Sequence, residues 1–162
     1  DFAYTPEQNI AHSMTALMAQ NKGAGKKNRM QEGFRCGMVL ESIYGIFIFL
    51  VCFIFAKPLM CLFVQDEEVI MHGVTYLHLI SIMYILPAFT NGIQGFFRGI
   101  GDLKITLISS LVNMTVRVIV AAPLVFSLHL GIEALPYSYL AGWIGMLLAE
   151  LPLLIRTYKA YE

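Results

Sequence analysis

Long apolar runs separated by short polar breaks dominate the chain. Four of them cover about residues 36–63, 73–97, 105–128 and 133–155. Each exceeds the roughly 20 residues that a helix needs to cross the hydrocarbon of a bilayer. The breaks are Gln65–Glu68, Arg98–Asp102 and His129–Gly131. A fifth segment, about 2–21, is apolar but studded with Glu7, Gln8, Asn9, His12, Ser13 and Thr15, and is marginal by hydropathy. The pattern predicts an all-α membrane protein, a polytopic helical bundle of about five transmembrane helices. Pro87 and Pro123 fall inside spans and are expected to kink them or to remove a backbone hydrogen bond. Ser138, Gly142, Gly145 and Ala149 recur at three- and four-residue spacing on the last span, which lets a neighbouring backbone come close.

Composition strengthens this reading. Apolar residues make up 57% of the 162 and charged residues only 14%, against about 25% charged in a soluble domain. A chain this poor in charge cannot coat a water-facing surface, so lipid must cover much of it. Nothing suggests a nucleic-acid footprint. The chain starts at Asp1 without a signal-peptide pattern, and is expected to be cut from something longer. Cys36, Cys52 and Cys61 show no CxxC spacing and are expected to be free thiols.

The order of the charges sets an orientation. Lys22, Lys26, Lys27, Arg29 and Arg35 crowd the first connection, and Lys57 stands near an acidic second one. Arg98 and Lys104 flank the third, none flanks the fourth, and Arg156 and Lys159 follow the last span. The bias alternates only if every apolar run spans once, segment 2–21 included. Residue 1 is then outside and residue 162 cytoplasmic. A polar spanning helix is tolerated where it lines a cavity or faces other helices.

Candidate chemistry lies in polar stripes. Thr106, Ser109, Asn113 and Arg117 share one face of the fourth span, and Ser81, Tyr84, Asn91 and Arg98 share one of the third, with Gln94 at its edge. Asn9, Ser13, Ala16 and Gln20 form a smaller face on the first. Such stripes suit either a wet interior or interhelical hydrogen bonds. Arg117 lies about 18 Å from the inner end of its helix, near the bilayer middle. It should therefore face inward and find a partner, for which Glu7 and Tyr84 lie at suitable depth. Glu41 and Glu150, about 8 Å deep, are expected to face water or nearby bases. His12 is a candidate proton-sensitive cavity residue, whereas His72 and His129 are expected to be solvated in outer loops. Gly23–Lys26 lacks the upstream Gly and following Ser/Thr of a phosphate-binding loop. It and Gly99–Gly101 read as tight turns where Gly supplies a positive φ. No nucleophile–base pair, His cluster or paired carboxylate site emerges, so an enzyme is unsupported.

Taken in order, several motifs resemble one family. Ala19-Gln20-Asn21-Lys22-Gly23-Ala24-Gly25-Lys26, with Arg29 and Gly33-Phe34, resembles the loop after the second helix of each lobe in multidrug and toxic compound extrusion (MATE) transporters. Phe97-Arg98-Gly99-Ile100-Gly101-Asp102, with Ile105-Thr106, Asn113 and Arg117, resembles the end of the lobe's fifth helix and the helix that follows. Pro58-Leu59, Leu62-Phe63 and the acidic loop after them resemble the break between its third and fourth helices. The resemblance implies a partial carboxy-terminal lobe, helices eight to twelve, of a two-lobe, twelve-helix transporter whose amino-terminal lobe is a partner not contained here. It implies secondary active efflux, an antiport of cationic amphipathic compounds against Na⁺ or H⁺ across the cell inner membrane, with no cofactor beyond the coupling ion. The tenth-helix region Ile85–Asn91 lacks the carboxylate seen in NorM-type members, so Na⁺ or H⁺ coupling would fall to the missing half or to Glu7. The cavity candidates are Glu7, Asn9, His12, Tyr84, Asn91, Gln94, Asn113 and Arg117. A lipid-linked saccharide flippase of the same superfamily is the second reading, and a non-transporting scaffold or channel subunit the third.

Overall fold

The computed structural model describes residues 4–126 and 134–159, and every described element is an α-helix. In chain order these are α1 (Tyr4–Gly23), α2 (Lys27–Ile54), α3 (Ala56–Cys61), α4 (Glu67–Met83), α5 (Ile85–Gly99), α6 (Leu103–Phe126) and α7 (Ala134–Lys159). The break expected at 129–131, with His129, lies outside the described residues. Helices α2, α6 and α7 are each long and apolar enough to cross a bilayer. Helices α4 and α5 pass the same test of length and apolarity only as a pair, bent by 43° at the break between them. Helix α1 has 20 residues, about 30 Å at 1.5 Å per residue, so it has the length for a span without the apolarity.

Local chemistry explains where the helices stop. Gly25 (φ 67°) and Gly101 (φ 82°) take the left-handed backbone that ends α1 and α5, as their sequence setting predicts. Asp66 caps α4, its carboxylate accepting from the N–H groups of Glu68 at 2.9 Å and Val69 at 3.2 Å, which satisfies two of the orphan donors of the first turn. The kink expected at Pro87 appears three residues earlier. Pro87 has no N–H to bond back to Met83, and its ring crowds that carbonyl; the chain breaks at Tyr84, which ends α4 and opens α5. Pro123 sits within a helix that stays continuous around it.

Helix α5 is the hub. It packs against α1, α2, α4, α6 and α7, and most of its residues are buried. Phe34, Phe96 and Phe97 anchor an apolar cluster with Met14, Met18, Met30 and Ile93 at one end, the rings of Phe34 and Phe96 lying 5.0 Å apart. The opposite surfaces are lipid-like: Leu107, Ile108, Leu111, Met114, Val118 and Ile119 of α6 and Val39, Ile43, Phe47 and Ile54 of α2 are exposed. An aliphatic face of this size is stable only against hydrocarbon or another protein. Close approach is built in at several glycines, Gly95 and Gly142 among them. A Cβ on Gly95 would lie 2.7 Å from the Ala11 carbonyl oxygen of α1, and one on Gly142 would lie 3.1 Å from the Asn113 carbonyl oxygen of α6. The small-residue face expected on the last span thus meets α6, its main partner.

Candidate functional site

A cavity of about 460 Å³ opens between α4–α5 and α6–α7, with Tyr4 of α1 at its edge. Tyr84, Asn91, Gln94, Asn113 and Arg117 all line it, so five of the eight candidate residues converge on one space. The third-span and fourth-span stripes meet there because α5 and α6 turn their polar faces toward each other. Aromatic rings form another part of the wall, where Tyr76, Tyr139 and Trp143 join Tyr84. These were missed, although residues 76, 80 and 84 and residues 139, 143 and 146 each recur at helical spacing on one face.

Arg117 does not pair with Glu7. Its guanidinium carbon sits 3.7 Å above the centre of the Tyr139 ring. A guanidinium stacked on an aromatic face is stabilised by the ring quadrupole, with little desolvation penalty for an ion of dispersed charge. That arrangement answers the need for an inward-facing partner at mid-membrane depth without a carboxylate. Among the described lining residues Arg117 carries the cavity's only formal charge.

Glu7 lies one hydrogen bond behind the wall. Asn91 Nδ2 donates to Glu7 Oε2 at 3.5 Å, and the Tyr4 hydroxyl donates to Asn91 Oδ1 at 3.4 Å. Asn9 and His12 stand elsewhere. Both are exposed, and Asn9 lines a separate, mainly apolar groove with Ser13, Met14, Leu17, Cys36 and Leu40. The polar face expected to line the cavity from the first helix points out of the bundle, because α1 buries Glu7, Ala11, Met14, Met18 and Asn21 instead.

The acidic residues bring a second correction. Glu41 and Glu150 do not face water: like Glu7, each is 0% exposed. Depth along a helix says nothing about which way a side chain points, and both point into the bundle. Gln94 Nε2 donates to Glu150 Oε1 at 3.3 Å, and Arg98 and Ser109 also act on that carboxyl. Both Glu41 oxygens and Glu7 Oε1 are buried with no hydrogen-bond partner among the described residues.

Smaller expectations resolve as follows. The three cysteines are free, Cys36 and Cys61 exposed and Cys52 buried. His72 is exposed, but on α4 and not in a loop. His78 is a helix contact, Nε2 lying 3.1 Å from the Phe53 carbonyl oxygen. No group of three or more His, Cys, Asp or Glu able to hold a metal occurs among the described residues.

A bundle of apolar helices around a polar, aromatic cavity defines a multi-pass membrane protein of the transporter class. The family model MatE matches residues 1–124. The chain belongs to the MatE family, whose members are transporters and not enzymes. It is 25% identical over 146 residues to a protein of Thermotoga maritima described as "Probable multidrug resistance protein NorM", covering 90% of this chain and 30% of that one. A protein of the same description from Halalkalibacterium halodurans is 23% identical, covering 90% of this chain and 31% of the relative. The chain therefore spans about a third of the length of the curated relatives it matches. Its fold is shared with "MATE transporter ClbM in complex with Rb+", at TM-score 0.88 and 16% identity, over 98% of this chain and 37% of that one. It is also shared with an inward-facing multidrug resistance MATE family transporter, at TM-score 0.86 and 16% identity, over 91% of this chain and 34% of the other.

Proposed function

We propose that these helices form part of the carboxy-terminal lobe of a two-lobe, twelve-helix exporter in the cell inner membrane. It expels cationic amphipathic compounds by antiport against Na⁺ or H⁺. The observation that carries this reading is the cavity itself. Its volume of about 460 Å³ falls in the range of small-molecule sites. Tyrosine and tryptophan faces attract organic cations through their quadrupoles, and Asn91, Gln94 and Asn113 offer both donors and acceptors. The printed descriptions of the relatives, multidrug resistance proteins, support the substrate class. The rubidium ion named with a structural neighbour supports coupling to a monovalent cation. The amino-terminal lobe would be supplied by the rest of a relative-length polypeptide.

One observation favours a second reading. Among the described residues Arg117 is the only charged one on the cavity wall, and a lone guanidinium suits an anionic phosphate better than a cation. A flippase for lipid-linked saccharides would use it so. The discriminating experiment follows ethidium efflux from an efflux-deficient bacterium expressing the complete polypeptide, with and without Na⁺ and with an uncoupler. Export that collapses with the ion gradient is expected. No export of any cationic dye despite good expression would transfer the assignment to the flippase.

A further inference from the structure

Arg117 already occupies the surface on which an organic cation would bind. Its stem crosses α7 at Gly142, where an added Cβ would run into both Cγ and Cδ of the arginine. Gly142 shares a face of α7 with Tyr139, one turn away, and the guanidinium comes to rest 3.7 Å above the Tyr139 ring. Trp143 stands beside that ring, the two centroids 5.7 Å apart. Tyr76 reaches the same place from α4. Rings from two helices thus flank one cation, the kind of setting in which aromatic side chains hold quaternary ammonium groups. No acidic residue stands among the described lining residues, so nothing in that wall offsets a second positive charge. Two cations sharing one ring face repel each other.

We propose that the guanidinium of Arg117 is a built-in competitor on the cavity's cation site, which a soft organic monocation must displace in order to bind. That exchange sets the class of ligand. Guanidinium carries dispersed charge and is weakly hydrated, so it yields to ions of the same kind, such as quaternary ammonium and delocalised heterocyclic cations. A compact, strongly hydrated ion loses more water than the ring repays, and the resident arginine keeps it out. The side chain is half-buried and lines the open cavity, so its long stem has space to swing aside. Return of the guanidinium to the ring then helps to drive the bound cation out, which suits export. The proposal rests on the exporter reading and deepens it by naming what a substrate must displace.

The test is a calorimetric titration of tetrabutylammonium into the complete polypeptide in detergent, and needs no transport. Arg117→Met should tighten binding by about tenfold, because the ring is left vacant. Arg117→Lys keeps the charge but exchanges the guanidinium for a strongly hydrated ammonium, and should tighten binding by about threefold. In a Tyr139→Leu background the gain from Arg117→Met should vanish. Unchanged or weaker binding in Arg117→Met overturns the proposal, weaker binding being the result expected of a direct contact with an anionic ligand. A gain that survives Tyr139→Leu also overturns it, since removal of a like charge would then suffice. Should Arg117→Met fail to fold, Arg117→Lys decides, and binding no tighter than the parent's sinks the competitor. If the parent exports no dye while Arg117→Met binds tetrabutylammonium more tightly, the exporter reading fails and the competitor stands.

Discussion

The two sides of α5 use the same device in different surroundings. Toward α1 and α2, the carboxamide of Asn91 donates to Glu7, and Glu41 lies beside it with neither oxygen paired. Toward α6 and α7, the carboxamide of Gln94, one helical turn on, donates to Glu150, and Arg98 and Ser109 act on the same carboxyl. Both amides also face the cavity. The difference is the company: Arg98 and Ser109 lie near one carboxyl, although Glu150 Oε2 and Arg98 Nε, like Glu7 Oε1 and both Glu41 oxygens, are buried with no hydrogen-bond partner among the described residues. A single buried helix therefore touches the cavity with two amides that each hold one oxygen of a buried carboxyl.

A close backbone contact sharpens this contrast most. Gly95→Ala should destabilise the protein by about 3 kcal/mol, read as thermal unfolding in detergent, because the obstacle is the Ala11 backbone carbonyl on the α1 side. Gly142→Ala should cost less, since the nearest obstacle is the flexible stem of Arg117. Equal losses would mean that both sides are equally rigid. Next, Gln94→Leu should cost about 2 kcal/mol by leaving Glu150 Oε1 buried and unpaired. Glu150→Gln in the same background should restore part of that loss, and a null effect of Gln94→Leu would remove the hydrogen bond from the comparison. The smallest effect is expected at the cavity wall. Tyr139→Leu should lose about 1 kcal/mol with its cation–π contact, whereas Tyr139→Phe should match the parent. A large loss in the Phe variant would show that the hydroxyl, and not the ring face, holds Arg117.

Much of this fold is legible in the chain because a bilayer makes strong demands. Apolar length, the basic connections and the glycines at 25 and 101 mark helices and turns with little help from tertiary context. The polar stripes of α5 and α6 are equally visible, and they supply Asn91, Gln94, Asn113 and Arg117 of the cavity wall. Direction was harder. Lipid and protein interior are similarly apolar, so nothing in the sequence told whether Tyr139 and Trp143 face the cavity, or whether Asn9 and His12 face away from it. The same ambiguity hid the burial of Glu41 and Glu150. The depth of Arg117 predicts an inward-facing partner near Glu7 and Tyr84, but the ring it stacks on is that of Tyr139, on a helix that depth alone does not single out. The chain break falls at Tyr84 although the cause is Pro87, because a proline disturbs the turn before its own position.

Helix α1 has a consequence for how the protein is made. It is long enough to cross but too polar to qualify alone, and its buried acid and packed glycine contact depend on α2 and α5. A translocon tests each segment largely on its own apolarity, and helix α5 emerges from the ribosome well after α1. Stable residence of α1 must therefore wait for later-made helices to arrive. Until then its own apolarity does little to hold it in the bilayer.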